Sequence, residues 1–578
     1  SGRELPMHLG LPTRSVHGLP IIEHAEFGRN VPDETVPDAD KMELGKIYHM
    51  GREEKADLIL NRQAMASHTF VTGSTGTGKS NAVYHLLDEI TKDGRTSFLV
   101  VEPAKGEYKN VFGSRADVKV FGTNPRETPL LRINPFAFPQ DIHILEHIDR
   151  LVEIFNACWP MYAAMPAVLK DAIERSYQKA GWNLRNSESE KGVFPTFFDL
   201  LDILPGVIEE SHYSKDTQSD YVGALCTRVK SLTNGIYGSV FCAEDALSDA
   251  ELFDCNVVVD LSRVGSMETK SLLMGILVMK LQEYRMCGSE MNSRLRHVTV
   301  LEEAHNLLRK TSAEQSQEGA NLQGKSVEML ANAIAEMRTY GEGFIIADQA
   351  PGLLDMSVIR NTNTKIILRL PDEEDRKLVG KSAALKEAQI DELSKLPLGV
   401  AAVYQNEWPE AVLCKIEAYP MPENAVYHKP SKMPHEINAE FVFGQLAAGK
   451  ELEPLSISEM EQLKLWLKRH EMMLKPEDGR YLEQVFAGGE LDVAKTRKAV
   501  FDFFGGISTV VDYCAAAEKS FTPRKEFLEQ LQGQYGLKAA AADWVLNSVI
   551  SMGMSLNPDA KAVDNLRTNF EQQGGRVL

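Results

Sequence analysis

Residues Gly73-Ser74-Thr75-Gly76-Thr77-Gly78-Lys79-Ser80 follow the pattern G-x-x-x-x-G-K-[ST], which sets a flexible backbone, a cation and a hydroxyl in succession. Glycines let such a loop curl until its N–H groups and the N-terminus of the next helix face an anion. Lys79 would then reach the β- and γ-phosphates of ATP, and the Ser80 hydroxyl would ligate Mg²⁺; Asn81 is grouped with them as the next residue of the loop. Further along, His297-Val298-Thr299-Val300-Leu301-Glu302-Glu303 is an apolar run ending in two carboxylates. Glu302 suits the Mg²⁺ shell, directly or through water, and Glu303 suits polarisation of an attacking water. A solvated strand end could carry the same pair, and it is the phosphate loop upstream that favours the chemical reading.

The elements needed to hold these groups are legible around them. His68–Thr72 reads as a short buried strand, and residues 81–90 carry apolar side chains at helical spacing, giving strand, loop and helix in the order the motif requires. Strands and helices alternate from about 55 to 140, as a βαβ core demands. From 141 to 240 the pattern turns helical, with apolar residues three or four apart in Ile144–Phe155 and Ala164–Arg175, so that stretch is read as an insertion. The core resumes at Cys255–Leu261 and runs to Val400–Tyr404, with buried helices expected over Ser271–Arg285 and Asn321–Tyr340. Residues 1–50, rich in Pro, Gly and acids, read as an extended arm or the remnant of a preceding domain. The divisions are therefore 1–50, 51–140, 141–240, 241–425 and 426–578, the last a Pro-rich linker followed by a helical domain. In that domain Pro523–Lys538 and Ala539–Gly553 have the period of a helix-turn-helix with its turn at Gly536, but the second helix is too poor in basic and amide residues to read bases.

Composition narrows the class. With 578 residues and 43% hydrophobic content the chain can bury a multidomain core. No apolar run reaches 18 residues and no secretory signal is present, so no membrane partner and a cytoplasmic location are expected. The chain begins Ser1-Gly2, which suggests an expression scar or the edge of a longer polypeptide. Seven scattered cysteines form no CxxC pair, which excludes a zinc framework. A formal charge of −19, from 63 basic and 82 acidic residues, argues against a surface that coats nucleic acid, though not against DNA in a pore lined by a few cations. Lys105–Lys109 and Arg228–Gly235 are candidate pore segments, with solvated loops as the plainer reading.

The chain resembles the HerA/FtsK branch of P-loop motor ATPases, and HerA-like proteins most closely. The resemblance rests on an ordered series: Val71–Asn81, Val101-Glu102-Pro103-Ala104-Lys105-Gly106-Glu107-Tyr108, Ile133–Phe136, Asn256–Ser262, Leu301–Asn306, Ala335–Gly341, Ile346–Pro351 and Asn363–Leu370. It implies an α/β fold: a RecA-like P-loop ATPase core carrying the helical insertion and the C-terminal helical domain. It further implies a polar sensor of the γ-phosphate at Gln349, preceded here by Asp348 where the family more often has Ser, and an arginine finger offered to a neighbouring subunit by Arg338 or Arg369. Arg62 is a weaker third candidate for that finger. A hexameric ring with DNA in its central pore follows from the same likeness, as does a separate effector such as a nuclease or NAD-consuming enzyme in prokaryotic anti-phage or restriction systems. Three activities then compete: a ring motor that translocates or unwinds DNA, an ATPase scaffold that switches a partner, and a coupling ATPase of a conjugation apparatus, disfavoured by the lack of membrane segments.

Overall fold

The computed structural model describes residues 24–429 apart from 33, 93, 163, 190–191, 244–245, 289, 311–318 and 422–425, together with His17, Tyr481 and 492–577 apart from 505, 518–521, 536–538, 558 and 576. Its strands are β1 (Lys41–His49), β2 (Arg52–Asn61), β3 (Thr69–Thr72), β4 (Ser97–Glu102), β5 (Val118–Gly122), β6 (Trp182–Asn183), β7 (Glu188–Ser189), β8 (Asn256–Asp260), β9 (His297–Glu302), β10 (Glu342–Asp348), β11 (Thr364–Ile367), β12 (Val400–Gln405) and β13 (Val412–Ile416). All but β6 and β7 join one 11-stranded sheet in the order β2-β1-β13-β12-β11-β3-β10-β9-β4-β8-β5. From β11 to β5 neighbouring strands run parallel. From β2 to β11 they are antiparallel.

Parallel strands are covered on both faces, so they read as continuous apolar runs rather than as alternation. Every residue of β3, β9, β10 and β11 is buried accordingly. One face is covered by the helix Lys79–Thr91, whose Ala82, Val83, Leu86, Leu87 and Ile90 recur at helical spacing and are buried among residues of β1, β3 and β4. The other face carries the helix Met267–Gly288 and the insertion, whose helices Ile144–Cys158, Met165–Lys179 and Phe197–Glu210 share a single apolar cluster with it. Inside that cluster the fully buried Glu283 accepts from His147 Nδ1 at 3.0 Å and from Arg150 at 3.3 Å, a burial that only such pairing makes tolerable.

Three readings of the sequence are corrected here. The boundary at residue 50 cuts a hairpin, because β1 and β2 pair with each other and β1 pairs with β13 in the main sheet. Alternation in Lys41–His49 is weak since β1 is partly buried on both sides, and so the strand hides among acidic and glycine residues. Arg228–Gly235 is not a loop: Thr227–Thr233 is a helix, with Arg228 held by Glu268 at 3.5 Å. Described residues of the segment after β13, among them Tyr427 within the linker expected from 426, lie on the core. Tyr419 N–H donates to Asn81 Oδ1 at 2.9 Å, its ring meets Tyr84 and Phe112, and Tyr427 N–H donates to Asn110 Oδ1 at 3.0 Å.

In the C-terminal part the helices Val493–Phe503, Gly506–Ala517, Pro523–Tyr535, Ala539–Leu556 and Ala560–Gln572 enclose an apolar cluster of their own. The second helix of the expected helix-turn-helix pair turns Val545, Leu546, Val549 and Ile550 into that cluster, and the turn at Gly536 lies outside the described residues. Among the described residues no single helix is long and apolar enough to cross a membrane.

Candidate nucleotide-binding site

Parallel strands deliver their carboxyl ends to one edge of the sheet, and ligands of open α/β folds bind at that edge. Pairing aligns the chemistry there. Thr72, the last residue of β3, lies between Ile367 and Asp348; Glu302 lies opposite Ala347; Glu102 lies opposite Asp260. The phosphate loop thus emerges between Arg369 on one side and Gln349 on the other.

The loop is held by its own hydrogen bonds. Ser74 N–H and Oγ both donate to Arg369 O, at 3.0 and 3.2 Å, and Thr77 Oγ1 donates back to Ser74 O at 2.7 Å. Gly73 has no room for a side chain: a Cβ there would sit 2.7 Å from both Leu368 Cβ and Thr77 Oγ1. Gly76 and Gly78 adopt φ of 75° and 105°, values that other residues avoid, and so curl the chain into the helix that begins at Lys79. The curl leads into a helix start, whose first N–H groups have no intrahelical partner, an arrangement that fits a phosphate chain.

Lys79 is 7% exposed and lies between two carboxylates, 3.1 Å from Glu303 Oε1 and 3.4 Å from Glu302 Oε2. Gln349 Nε2 also donates to Glu303 Oε1, while Thr75 Oγ1 donates to Gln349 Oε1 at 2.6 Å. One chain of contacts therefore runs from the phosphate loop through Gln349 to Glu303 and on to Lys79. Glu302 is fixed from the other side by the buried Tyr108 hydroxyl at 2.6 Å. Burial, with Glu302 beside it, pushes that phenol far above its ordinary range and keeps it a donor. Next to it Glu102 accepts from the N–H groups of Glu107 and Tyr108, and burial raises its carboxyl to about 8.

Glu303 takes a left-handed backbone conformation, φ 45° and ψ 52°, which costs a non-glycine residue roughly 1–2 kcal/mol. Asp348, fully buried at the end of β10, offsets that cost by clamping the turn. Its Oδ2 accepts from His305 N–H at 2.8 Å and from Nδ1 at 2.9 Å, and its Oδ1 accepts from Ala350 N–H at 2.9 Å. The hydrogen bond to Asp348 raises the His305 pKa, and its Nδ1 lies 3.6 Å from Glu303 Oε2. Glu303, His305 and Asp348 offer ligand atoms within 4.8 Å of one another, but both Asp348 oxygens are already used as acceptors, so the cluster is a hydrogen-bonded relay.

The structure thus brings together the phosphate loop, Glu302, Glu303 and Gln349. It places Arg369 with its carbonyl on the loop and its side chain exposed. Arg338 stands elsewhere, at the amino edge of the sheet in the turn Met337–Tyr340 that precedes β10. Arg62 is buried and donates to Glu89 O at 3.4 Å. The Asn81 side chain donates to Glu417 O and accepts from Tyr419 N–H, both at 2.9 Å, so it tethers the strap after β13 and leaves only the backbone to face a ligand. Lys109, a candidate pore residue, is paired with Asp260 at 2.7 Å and Glu127 at 3.0 Å. Tyr108 and His305 escaped selection by residue type. Their only signal was their place in the quoted runs around Glu102 and Glu303.

Residues 42–237 match the family model described as the helicase HerA central domain. The double-strand break repair helicase HerA of Sulfolobus acidocaldarius is 25% identical over 394 residues, covering 67% of this chain and 71% of that relative. A probable helicase of Methanocaldococcus jannaschii is 23% identical over 436 residues, covering 69% and 76%. Among solved structures, VirB4 of Thermoanaerobacter pseudethanolicus superposes with a TM-score of 0.51 at 19% identity, covering 67% of this chain and 98% of that one, a likeness of fold. Over its ATPase core the chain is thus similar to HerA helicases, and it carries the phosphate loop and paired carboxylates of a P-loop ATPase.

Proposed function

We propose that the chain is a ring motor, hexameric by its family likeness, that hydrolyses ATP between subunits and translocates or unwinds DNA, working with a separate effector such as a nuclease in prokaryotic defence. Lys79 and the loop N–H groups bind the triphosphate. Ser80 and Glu302 would hold Mg²⁺, which when bound neutralises charge on the β- and γ-oxygens. Tyr108 and Lys79 keep Glu302 in place. Glu303 is the general base, withdrawing a proton from the attacking water, and Gln349 couples that carboxylate to the phosphate loop through Thr75.

The observation that carries the interfacial part of this reading is the placement of Arg338. β10 has 7 residues. At about 3.3 Å per residue the strand separates Arg338 from Gln349 by roughly 20 Å, more than an arginine side chain spans. If Arg338 stabilises transition-state charge, it does so on a second copy. Arg369, at the carboxyl edge, is the competing finger.

The test is steady-state ATP hydrolysis with and without duplex and single-stranded DNA, with particle mass measured in parallel and Lys79→Ala as the blank. Hexamer-sized particles with several-fold stimulation by DNA are expected. Monomers with DNA-indifferent turnover would overturn the motor. The second reading, a scaffold that switches a partner, draws on the net charge of −19 and the separate apolar cluster of the C-terminal helices, and it predicts turnover governed by the partner instead.

A further inference from the structure

The amino edge of the sheet holds a cavity of 630 Å³ that the site above does not use. Arg338 reaches it from the turn before β10, Arg360 from the end of the helix Met356–Arg360, and Asn361 and Asn363 from the connection into β11. Asn332 and Asn406 complete the polar wall, and Glu336 is its one acid. The mouth is pinned, since Asn363 Oδ1 accepts from Asn406 N–H at 2.8 Å and Asn363 N–H donates to Ser67 O at 2.9 Å.

Charge sets this cavity apart. Acids outnumber bases by 82 to 63 in the chain, yet neither Arg338 nor Arg360 makes an ion pair among the described residues, and both are exposed. Two guanidinium groups with carboxamides beside them form a donor set for phosphate oxygens. A bounded concavity suits a triphosphate tail better than a continuous polynucleotide backbone, which asks for a long basic track. The phosphate loop of the same chain lies at the far end of β3 and β10, so a triphosphate at this edge would have to come from another molecule. Head-to-tail contact between copies sets the carboxyl edge of one against the amino edge of the next, and a rotation that closes makes a ring.

We propose that this cavity is the receiving half of the nucleotide site: Arg360 acts with Arg338 as a second cation on the triphosphate bound by the neighbouring copy, and Asn361 and Asn363 supply further donors. The inference rests on the interfacial reading above and adds to it Arg360 and the asparagine wall.

Complementation separates the two. Arg360→Ala, Arg338→Ala and Lys79→Ala are assayed for ATP hydrolysis singly and in pairwise mixtures, with particle mass and melting temperature recorded, and Arg360→Gln stands in if the alanine variant does not fold. Each variant alone should lose on the order of a hundredfold or more in turnover. Arg360→Ala mixed with Lys79→Ala should recover on the order of tenfold above either alone, because some interfaces then join an intact loop to intact arginines. Recovery with Arg338→Ala but not with Arg360→Ala would overturn the role of Arg360 and leave the interfacial reading standing. Recovery with neither, from particles that stay monomeric, would overturn both.

Discussion

Two clusters at opposite edges of one sheet treat charge in opposite ways, although the amino edge also has the buried pairs of Glu342 with Arg285 and His297. At the carboxyl edge the groups around Lys79 are paired, Lys79 with Glu302 and Glu303, Lys109 with Asp260 and His305 with Asp348, while the Arg369 side chain stands exposed beside them. At the amino edge the exposed Arg338 and Arg360 have no ion-pair partner among the described residues. Pairing at the first edge fixes geometry before substrate arrives, which is what catalysis by positioning and electrostatics requires. Unpaired guanidinium groups at the second are weakly hydrated forks suited to an anion from outside. On the proposed reading the cluster around Lys79 is one half of a reaction centre and the cavity with Arg338 and Arg360 receives the other.

The largest effect should come from breaking the paired edge at its base. Glu303→Gln keeps the shape and the Gln349 contact but removes the proton acceptor, so turnover should fall by about 10²–10⁴-fold with nucleotide binding and assembly retained. Normal turnover by this variant in a steady-state assay would remove Glu303 from the mechanism. Asp348→Asn tests the clamp behind it. The left-handed turn at Glu303 loses its carboxylate partner and His305 loses its acid, for which we expect turnover down by roughly 10–100-fold with the affinity for nucleotide little changed. The pH profile supplies a second readout. His305 titrates higher in the folded chain than in the unfolded chain, because Asp348 holds its proton. Its contribution to stability is therefore complete below the unfolded value near 6.5 and disappears as pH rises through the folded value. That slope in a thermal-melt series should flatten in Asp348→Asn, and an unchanged slope would sink the clamp.

A smaller effect is expected where the paired edge meets the strap. Asn81 lies next to Ser80 and holds Glu417 and Tyr419 through both ends of its carboxamide. Asn81→Ala should cost about 1–3 kcal/mol, since the backbone groups it served are left without their partner. Nucleotide affinity should change less than stability, and a large loss of affinity in nucleotide titration would give the Asn81 side chain a direct part in binding.

How much of this was legible in the sequence follows from which groups announce themselves. Strand β3, the phosphate loop and the following helix were readable because backbone geometry forces glycine at Gly73, Gly76 and Gly78 and because both faces of a parallel strand demand apolar residues. Glu302 and Glu303 were readable because charge at the end of an apolar run is conspicuous. Tyr108, His305 and the double duty of Asp348 were not, because their importance lies in contacts across 43 to 194 residues of chain, which no local pattern records. β1 was hidden because it takes part in an antiparallel flank with mixed burial. The cavity at the amino edge was hidden for a related reason: asparagines and arginines in turns look like ordinary solvated loops until the sheet gathers them.

The smallest expected effect compares like with like, since each edge also has its own buried lysine. Lys79 lies between two carboxylates, whereas Lys365 on β11 is 2% exposed and its Nζ meets only the carbonyl of Thr362, at 2.5 Å, among the contacts resolved. Burial lowers the Lys365 pKa from the ordinary 10.5 to about 8. Between those values the unfolded chain binds the proton more readily than the folded one, so stability rises with pH across about 8 to 10.5 and carries the full penalty below. The penalty is on the order of 3 kcal/mol from a shift of that size. Part of it is repaid by the hydrogen bond to Thr362, so the net gain from Lys365→Met should be nearer 1 kcal/mol. At pH 7 the variant should melt a few degrees higher, and its melting curve should lose the rise above pH 8. A lower melting temperature would mean that the contacts of Lys365 outweigh the cost of burying its charge.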